Sequence, residues 1–212
     1  MQMKTEFNIS DMHLDVLKEI GNIGAAHAAT SLSELLQRKI DMHVPKVALV
    51  SFDDMFELAG GSENVVVGIF LRIEGDLSGS MFFVLPIDSA NRFIRRLIGD
   101  PHFDFSNPES IGEIGISAMQ ELGNILSGSY LSALSDFTGL KIFPTVPSLS
   151  VDMVGAIVSF GLIEVSHYSD EVIVIDTKIV EEDENDKSVD GHFFLLPDPP
   201  SYMTIFKSLG VM

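Results

Sequence analysis

Two groups of polar residues recur in the sequence with a single spacing, D/S-x-x-x-E-x-x-N. The groups consist of Asp15, Glu19 and Asn22, and of Ser117, Glu121 and Asn124. At about 100° per residue, the three members of each group fall within about 60° of one another on a helix. An asparagine amide does not titrate, but it donates and accepts hydrogen bonds and can therefore orient a water molecule. A glutamate carboxylate can pair with a lysine of a partner protein.

These residue types indicate a site that positions reactants. Neither group contains a Ser–His or Cys–His pair, so covalent catalysis has no support. The alternative is a solvated helix face with glycines that serve helix packing. Asn and Gly inside a helix both cost stability, about 1 kcal/mol for Gly, and their repetition at equivalent positions favours a functional role. We expect Gly21, Gly24 and Gly123 to leave the helix surface shallow, so that another protein can approach it.

The two groups belong to an internal repeat. Residues 15–45 and 117–147 align at an offset of 102 with ten identities in 31 positions, whereas about two are expected from composition. Near the end of each half the offset is 111, and the charged stretch 181–190 is predicted to hold the extra residues in an exposed hairpin loop. We therefore predict one domain over residues 1–212, made of two repeats at about 11–99 and 108–210.

The repeats must supply the elements that position the polar groups. Long helices are predicted at about 11–37 and 108–138, and short amphipathic helices at about 87–98 and 199–209. Ser10, preceded by Ile9, is the expected N-cap of the first helix, and Asn107-Pro108-Glu109 is the expected start of the second. Strands are predicted at about 45–51, 64–73, 78–85, 149–153, 155–165, 171–180 and 191–196. Short turns between strands favour antiparallel pairing, and the predicted fold class is α+β with pseudo-two-fold symmetry, two long helices packing on an antiparallel β-sheet.

Composition excludes several classes of function. The chain has 212 residues, no Cys and a net charge of −18, which removes thiol chemistry and argues against binding to nucleic acid or to acidic membrane surfaces. The six histidines show no H-x-x-x-H spacing, so no metal site is predicted. The apolar runs have the length of strands and the amino terminus lacks the apolar core of a signal peptide, so we expect a cytoplasmic protein without membrane insertion.

The doubled motif, each copy followed by a proline 23 residues after its asparagine, resembles the CheC/CheX/FliY phosphatases of bacterial and archaeal chemotaxis. The phrases Glu19-Ile20-Gly21-Asn22-Ile23-Gly24 and Glu121-Leu122-Gly123-Asn124-Ile125-Leu126 look most like the CheC branch, and the resemblance covers nearly the whole chain. It implies a CheC-like domain that hydrolyses the aspartyl phosphate of the response regulator CheY.

The resemblance also implies roles for individual residues. Glu19 and Glu121 would each hold the regulator's active-site lysine, and Asn22 and Asn124 would each place the attacking water. Asp15, Ser117, Pro45 and Pro147 would support the motif, the prolines by ending the connection from helix to strand. The chain itself would bind no cofactor, since Mg²⁺ is expected in the regulator's own acidic pocket. The motifs differ at Asp15 and Ser117, so the two sites need not be equally active, and the sequence does not rank them.

A second partner is implied as well. The resemblance points to CheD, the receptor glutamine deamidase, whose binding is expected to stimulate the phosphatase, and Asp152, Met153 and the predicted strand after them are the suspected contact. The alternative from another class is a non-enzymatic module that binds and sequesters CheD or the regulator. A flagellar-switch component of the FliY type ranks lower, because it would need a further carboxy-terminal domain beyond the second repeat.

Overall fold

The structure, a computed structural model, describes residues 9–107, 109–166, 170–181 and 188–210. The helices in these ranges are α1 (Asp11–Leu36), α2 (Phe52–Leu58), α3 (Ile87–Ile98), α4 (Glu113–Thr138), α5 (Val154–Ser166) and α6 (Pro199–Ser208). The strands are β1 (Ile40–Ser51), β2 (Val65–Gly75), β3 (Gly79–Pro86), β4 (Ile142–Pro144), β5 (Ser148–Met153), β6 (Glu171–Glu181) and β7 (Ser188–Pro197). None of the helices in these ranges is long and apolar enough to cross a membrane.

The strands form one sheet in the order β1-β6-β7-β3-β2-β4, and β5 also pairs with β2. Every pairing between them is antiparallel. The predicted α+β class, with two long helices on an antiparallel sheet, is therefore confirmed.

Helices cover both faces of the sheet, which is why its central strands are apolar on both sides. In β3, Phe83 faces the larger core with α1, α3, α4 and α6, and the adjacent Phe82 faces a smaller core with α2 and α5. In β7, Phe193 and Phe194 divide in the same way. Alternate side chains of a strand point to opposite faces, so one continuous aromatic run serves two cores.

The two long helices cross at a glycine. A Cβ atom on Gly24 would lie 2.9 Å from the Tyr130 Cα and 3.2 Å from the Ser129 carbonyl oxygen, so only glycine allows this approach of α1 to α4. The Tyr130 hydroxyl and the Thr177 hydroxyl are hydrogen-bonded at 2.9 Å beneath the crossing. Burial raises the pKa of Tyr130 to about 12, so the phenol stays neutral in the core.

The internal repeat is visible in the element bounds. Helices α1 and α4 begin 102 residues apart, at Asp11 and Glu113, and so do α2 and α5, at Phe52 and Val154. The offset is already 106 between β2 and β6. Four of the extra residues therefore enter before β6, and only the remainder between β6 and β7. The single domain over residues 1–212 stays a prediction.

The predicted strand at 155–165 is wrong, because this segment is helix α5. A short, mostly apolar run looks the same in a buried strand and in a buried helix, and the two polar residues here, Ser159 and Glu164, are too few to show the period. Gly161 of this helix packs against β3: a Cβ on Gly161 would lie 2.7 Å from the Phe82 ring. The helix therefore lies closely on the sheet. The short helix α2 was not predicted, although Ser51 caps it by accepting a hydrogen bond of 3.1 Å from the Asp54 N–H.

The second long helix begins later than predicted, at Glu113 with Gly112 as its N-cap. The polar residues before it build a turn instead of a cap. The Asn107 side chain accepts a hydrogen bond from the Glu109 N–H at 3.1 Å, and the Ser110 hydroxyl donates to the Asp104 carbonyl at 2.6 Å. Pro108 lies outside the described residues. Ser10 is the N-cap of α1 as predicted, and its N–H donates to His13 Nδ1 at 2.9 Å.

The remaining predictions of elements agree except at their edges. Helices α3 and α6 lie where the amphipathic patterns predicted them. Strand β1 begins at Ile40, five residues earlier than expected, and β4 was not predicted. Strands β6 and β7 pair up to Val180 and Ser188, so residues 181 and 188–190 of the predicted loop belong to strands, and residues 182–187 lie outside the described residues.

Candidate functional site

The first polar group lies on the outer face of α1. Asp15 and Glu19 are exposed, and Asn22 is half-buried one turn further along the helix. The Asn22 Oδ1 atom accepts a hydrogen bond of 2.9 Å from the Val44 N–H. Its Nδ2 atom donates to the Lys18 carbonyl at 3.0 Å and, more weakly, to the Val44 carbonyl at 3.5 Å. The first asparagine is therefore engaged with its own chain.

Pro45 explains why Val44 needs this partner. The register of β1 against β6 is interrupted between His43 and Lys46, and Pro45 has no N–H to give to the sheet. The backbone of Val44 therefore leaves the ladder at this irregularity, and the amide of Asn22 takes the place of a neighbouring strand. Pro45 lies inside a strand that begins at Ile40, so it does not end the helix-to-strand connection as the resemblance implied.

The second polar group lies on the outer face of α4 and is more open. Ser117, Glu121 and Asn124 are all exposed. The side chain of Asn124 makes no hydrogen bond with any residue that the structure describes, so its amide is available to a partner or to water. One turn earlier, Gln120 Nε2 donates to the Pro147 carbonyl at 3.5 Å, which places the chain before β5 against this part of α4. Pro147 is buried there, directly before β5 begins.

Val44 and Val146 occupy equivalent positions of the two repeats but differ in exposure to solvent. Val44 is 2% exposed and Val146 is 87% exposed. A Cβ on Gly21 would lie 3.3 Å from a Val44 methyl group, so Val44 fills the space over that glycine. At Gly123 the corresponding space is filled by Ile69, whose side chain would be 2.6 Å from an added Cβ. Val146 therefore remains outside, beside the second polar group.

The glycines do not form the shallow outer surface that the sequence suggested. Gly21, Gly24 and Gly123 are all buried, and each faces the sheet or the other long helix. The packing alternative is correct for them. The glycines are neighbours of the Glu and Asn residues in sequence but face the other way, because helix residues one or two apart lie on different faces.

The two polar groups lie beside opposite edges of the sheet. Asn22 contacts β1, the first strand of the sheet order, while Gln120 next to the second group contacts the segment between β4 and β5, at the last. Five strand spacings separate β1 from β4, which is about 24 Å. The chain therefore presents two separate sites instead of one composite pocket.

Each polar group continues toward the start of its helix with an apolar residue that was missed in the sequence. Met12 is 62% exposed and Ile114 is 72% exposed, and they are related by the same offset of 102. Single exposed apolar residues carry no signal in one sequence. Only the repeat and the measured exposures together reveal this pair.

The described ranges were compared with the ligand sets that hold metal ions. No group of three His, Asp or Glu side chains within them could hold a metal ion. The polar groups themselves offer one carboxylate and one amide on α4, and the same pair on α1 with an additional carboxylate at Asp15. Such a set can bind a cation and orient a water molecule on a partner's surface.

Comparison with known proteins agrees with the repeat. The model of the CheC-like family matches twice, over residues 12–49 and 114–151. Both matches contain a complete polar group and the proline that follows it.

Two relatives and one solved structure are similar over large parts of the chain. CheY-P phosphatase CheC of Bacillus subtilis (strain 168) is 48% identical over 204 residues, which are 95% of this chain and 96% of the relative. The flagellar motor switch phosphatase FliY of the same organism is 30% identical over 144 residues, 68% of this chain but 37% of that protein. The crystal structure of Thermotoga maritima FliY has a TM-score of 0.72 at 20% identity, covering 96% of this chain and 98% of that chain, and shows the shared fold.

Proposed function

Because the chain belongs to the CheC-like family, we propose that it is a protein phosphatase that hydrolyses the aspartyl phosphate of the chemotaxis response regulator CheY. The observation that carries the proposal is the Glu and Asn pair on the outer face of each long helix, in a chain 48% identical to a CheY-P phosphatase over nearly its whole length. The activity belongs to the hydrolases.

The chemistry asks little of the phosphatase. An aspartyl phosphate hydrolyses through a loose transition state, so a helper must mainly hold a water molecule in line with the phosphorus atom. Asn124, with its amide free in the described part of the chain, would accept a hydrogen bond from that water and fix its direction. Asn22 would do the same at the first site, with the hydrogen-bonding capacity of its amide that the bond to the Val44 N–H leaves unused.

Glu19 and Glu121 would orient the regulator. Each carboxylate is exposed one turn before its asparagine, so a lysine of the regulator could bind to it while the phosphoryl group faces the amide. Asp15 and Ser117, one turn earlier, would support the carboxylate from the same face. The chain would supply no metal to the reaction, and Mg²⁺ would act within the acidic pocket of the regulator.

The separation of the sites supports a stoichiometry of two. The sites lie beside opposite edges of the sheet, whose edge strands β1 and β4 are about 24 Å apart by strand spacing. Two regulator molecules could therefore bind to one chain if each covers only its own edge. Light scattering of the complex with phosphorylated CheY at saturation would measure this ratio.

We also propose that the chain binds CheD, at Asp152, Met153 and the first turn of α5. Both residues are exposed at the end of β5, which pairs only with β2 in the described part of the sheet. An unpaired strand edge next to an exposed helix offers backbone and side-chain contacts to a partner. Replacing Asp152 with Lys should weaken CheD binding in a calorimetric titration, without changing the decay of phosphorylated CheY when CheD is absent.

The experiment for the phosphatase is a turnover measurement. Phosphorylated CheY is mixed with the protein at one tenth of its concentration, and inorganic phosphate is followed with time. An enzyme releases phosphate from all regulator molecules faster than they decay alone. A sequestering module would release no more than the spontaneous amount, and that result would favour the non-enzymatic alternative.

A further inference from the structure

The polar groups share their helix faces with one exposed apolar residue each. Met12 precedes Asp15 by three residues on α1, and Ile114 precedes Ser117 by three residues on α4. The two are 62% and 72% exposed, in a chain whose other long apolar side chains are mostly buried. The duplication has thus left a large apolar side chain in solvent at the same place twice.

The position of this residue on the helix matches that of the polar group. At about 100° per residue, the four positions i, i+3, i+7 and i+10 fall within an arc of about 80°. Ile114 is about 10 Å along the helix axis from Glu121, at a rise of about 1.5 Å per residue. A protein surface that covers Glu121 and Asn124 therefore reaches Ile114 as well.

The size of a transient interface supports the same conclusion. A weak signalling complex buries up to about 600 Å² on each partner, which is a patch of about 14 Å in radius. Ile114 lies inside such a patch centred on Glu121. Phe137, the other large exposed apolar residue of α4, lies about 24 Å from Glu121 along the axis and falls outside it.

We propose that Met12 and Ile114 are docking residues, through which each long helix makes an apolar contact with the regulator beside the lysine and the phosphoryl group. The inference rests on the proposed phosphatase function and adds a specificity determinant to it. The partner surface would carry an apolar side chain near its active-site lysine. The Glu–Asn pair then orients the regulator, and the apolar residue adds contact area. The net charge of −18 would repel acidic residues of the partner.

The contact should affect binding and leave the chemical step unchanged. An apolar side chain one to two turns from the reacting group contacts the substrate equally in the ground state and in the transition state. Its removal therefore raises KM with little change in kcat. Full burial of an Ile or Met side chain is worth at least about tenfold in an equilibrium constant, and because part of each side chain is already buried in the free protein, we expect KM to rise about 5- to 10-fold.

The test uses the full chain with one site active at a time. In an Asn22→Ala background only the second site remains, and Ile114→Ser should raise KM for phosphorylated CheY about 5- to 10-fold with kcat within twofold. Ile114→Met, which copies the residue of the first repeat, should restore the parental KM. The reciprocal pair is Met12→Ser and Met12→Ile in an Asn124→Ala background. Phe137→Ser is the control on the same helix and should leave KM within twofold.

Salt separates the apolar contact from the charged one. The effect of Ile114→Ser should persist as salt is raised from about 50 to about 500 mM, because salt does not screen an apolar contact. A contact made by the Glu121 carboxylate should weaken over the same range. A KM that stays within twofold in Ile114→Ser, or that rises equally in Phe137→Ser, overturns the inference.

Binding gives a readout that does not depend on turnover. CheY carrying beryllofluoride, a stable mimic of the phosphoryl group, is titrated into a Glu19→Lys parent, in which binding at the first site is weakened, and into the same parent with Ile114→Ser. If the parent does not accelerate dephosphorylation, the proposed function fails, and the docking inference is then decided by this titration alone. A Kd about 5- to 10-fold weaker in Ile114→Ser supports docking, and an unchanged Kd refutes it.

Discussion

The Asn22 Oδ1 atom accepts a hydrogen bond of 2.9 Å from the backbone N–H of Val44. The equivalent asparagine of the second repeat, Asn124, is exposed and has no such partner in the described part of the chain. One residue type at one place in a duplicated motif thus has two structural settings. The first amide supports an irregular strand, while the second is left to solvent.

The first prediction concerns the two asparagines replaced singly. Asn22→Ala leaves a half-buried N–H of Val44 without its partner and should lower the free energy of unfolding by about 1–2 kcal/mol. Asn124→Ala removes no described contact and should change it by less than about 0.5 kcal/mol. Urea denaturation of both variants measures the difference. Equal losses of stability would show that the Val44 contact contributes nothing.

The same pair predicts unequal activity. Because the amide of Asn124 is free to hold water, Asn124→Ala should lose more of the acceleration of CheY-P decay than Asn22→Ala does. Phosphate release at matched Mg²⁺ gives the ratio. A larger loss in Asn22→Ala, after correction for the folded fraction, would contradict this ranking of the sites.

The second prediction concerns the carboxylates. Glu19→Lys with Glu121→Lys should raise KM for phosphorylated CheY at least tenfold, because each new ammonium would face the regulator's lysine. The matched control is Glu34→Lys with Asp136→Lys, which makes the same change of net charge at exposed positions about 22 Å further along the two helices. If the control raises KM as much, the effect comes from overall charge and the clamp is refuted.

The third prediction tests the helix crossing. Gly24→Ala would force a methyl group to within 2.9 Å of the Tyr130 Cα and should cost about 1–3 kcal/mol of stability. Gly128→Ala is the matched control on α4: a Cβ there meets nothing within 4 Å, and the change should stabilise the protein by up to about 1 kcal/mol. Thermal unfolding of both variants decides, and a stabilised Gly24→Ala would mean that the helices do not cross so closely.

The fourth prediction concerns the connection between the repeats. The Asp104 carboxylate accepts hydrogen bonds from the Ser106 N–H at 2.8 Å and from Asn91 Nδ2 at 2.7 Å, and these bonds lower its pKa below the usual 3.8, the backbone bond being the larger cause. A carboxylate with a lowered pKa stabilises the folded state above about pH 4, and this contribution is lost as pH falls through the lowered pKa. Asp104→Asn should therefore be less stable than wild type at pH 7.

The pH profile supplies the check. The difference in unfolding midpoint between wild type and Asp104→Asn should be constant from pH 7 to about pH 5 and shrink as pH falls below about 4. A difference that stays the same down to pH 2.5 would show that the charge of Asp104 is not what stabilises the connection.

The sequence predicted the repeat and the long helices because each depends on patterns longer than ten residues, and it predicted antiparallel pairing because the turns between strands are short. It failed at α5, where residues 155–165 contain only two polar residues, Ser159 and Glu164, too few for a helical or a strand period to be read. It also placed Gly21 and Gly123 on an open surface, since the type of a residue does not tell which neighbour fills the space beside it. Ile69 and Val44 fill those spaces, and both come from distant parts of the chain.

The helix faces that carry the site residues could be predicted from the sequence, but the contacts of those residues could not. Spacing alone placed Glu121 and Asn124 on one exposed face of a helix, which the structure agrees with. The contact between Asn22 and Val44 could not be predicted, because it depends on the irregular strand around Pro45 and not on the motif. The roles of these residues in hydrolysis stay predictions.

The most direct measurement is the decay of phosphorylated CheY with wild type and with the Asn22→Ala/Asn124→Ala double variant, at matched Mg²⁺ and with the fold checked by circular dichroism. Wild type should accelerate the decay, and the folded double variant should leave it at the spontaneous rate. Acceleration by the double variant equal to that of wild type would contradict the positioning of water by the two asparagines.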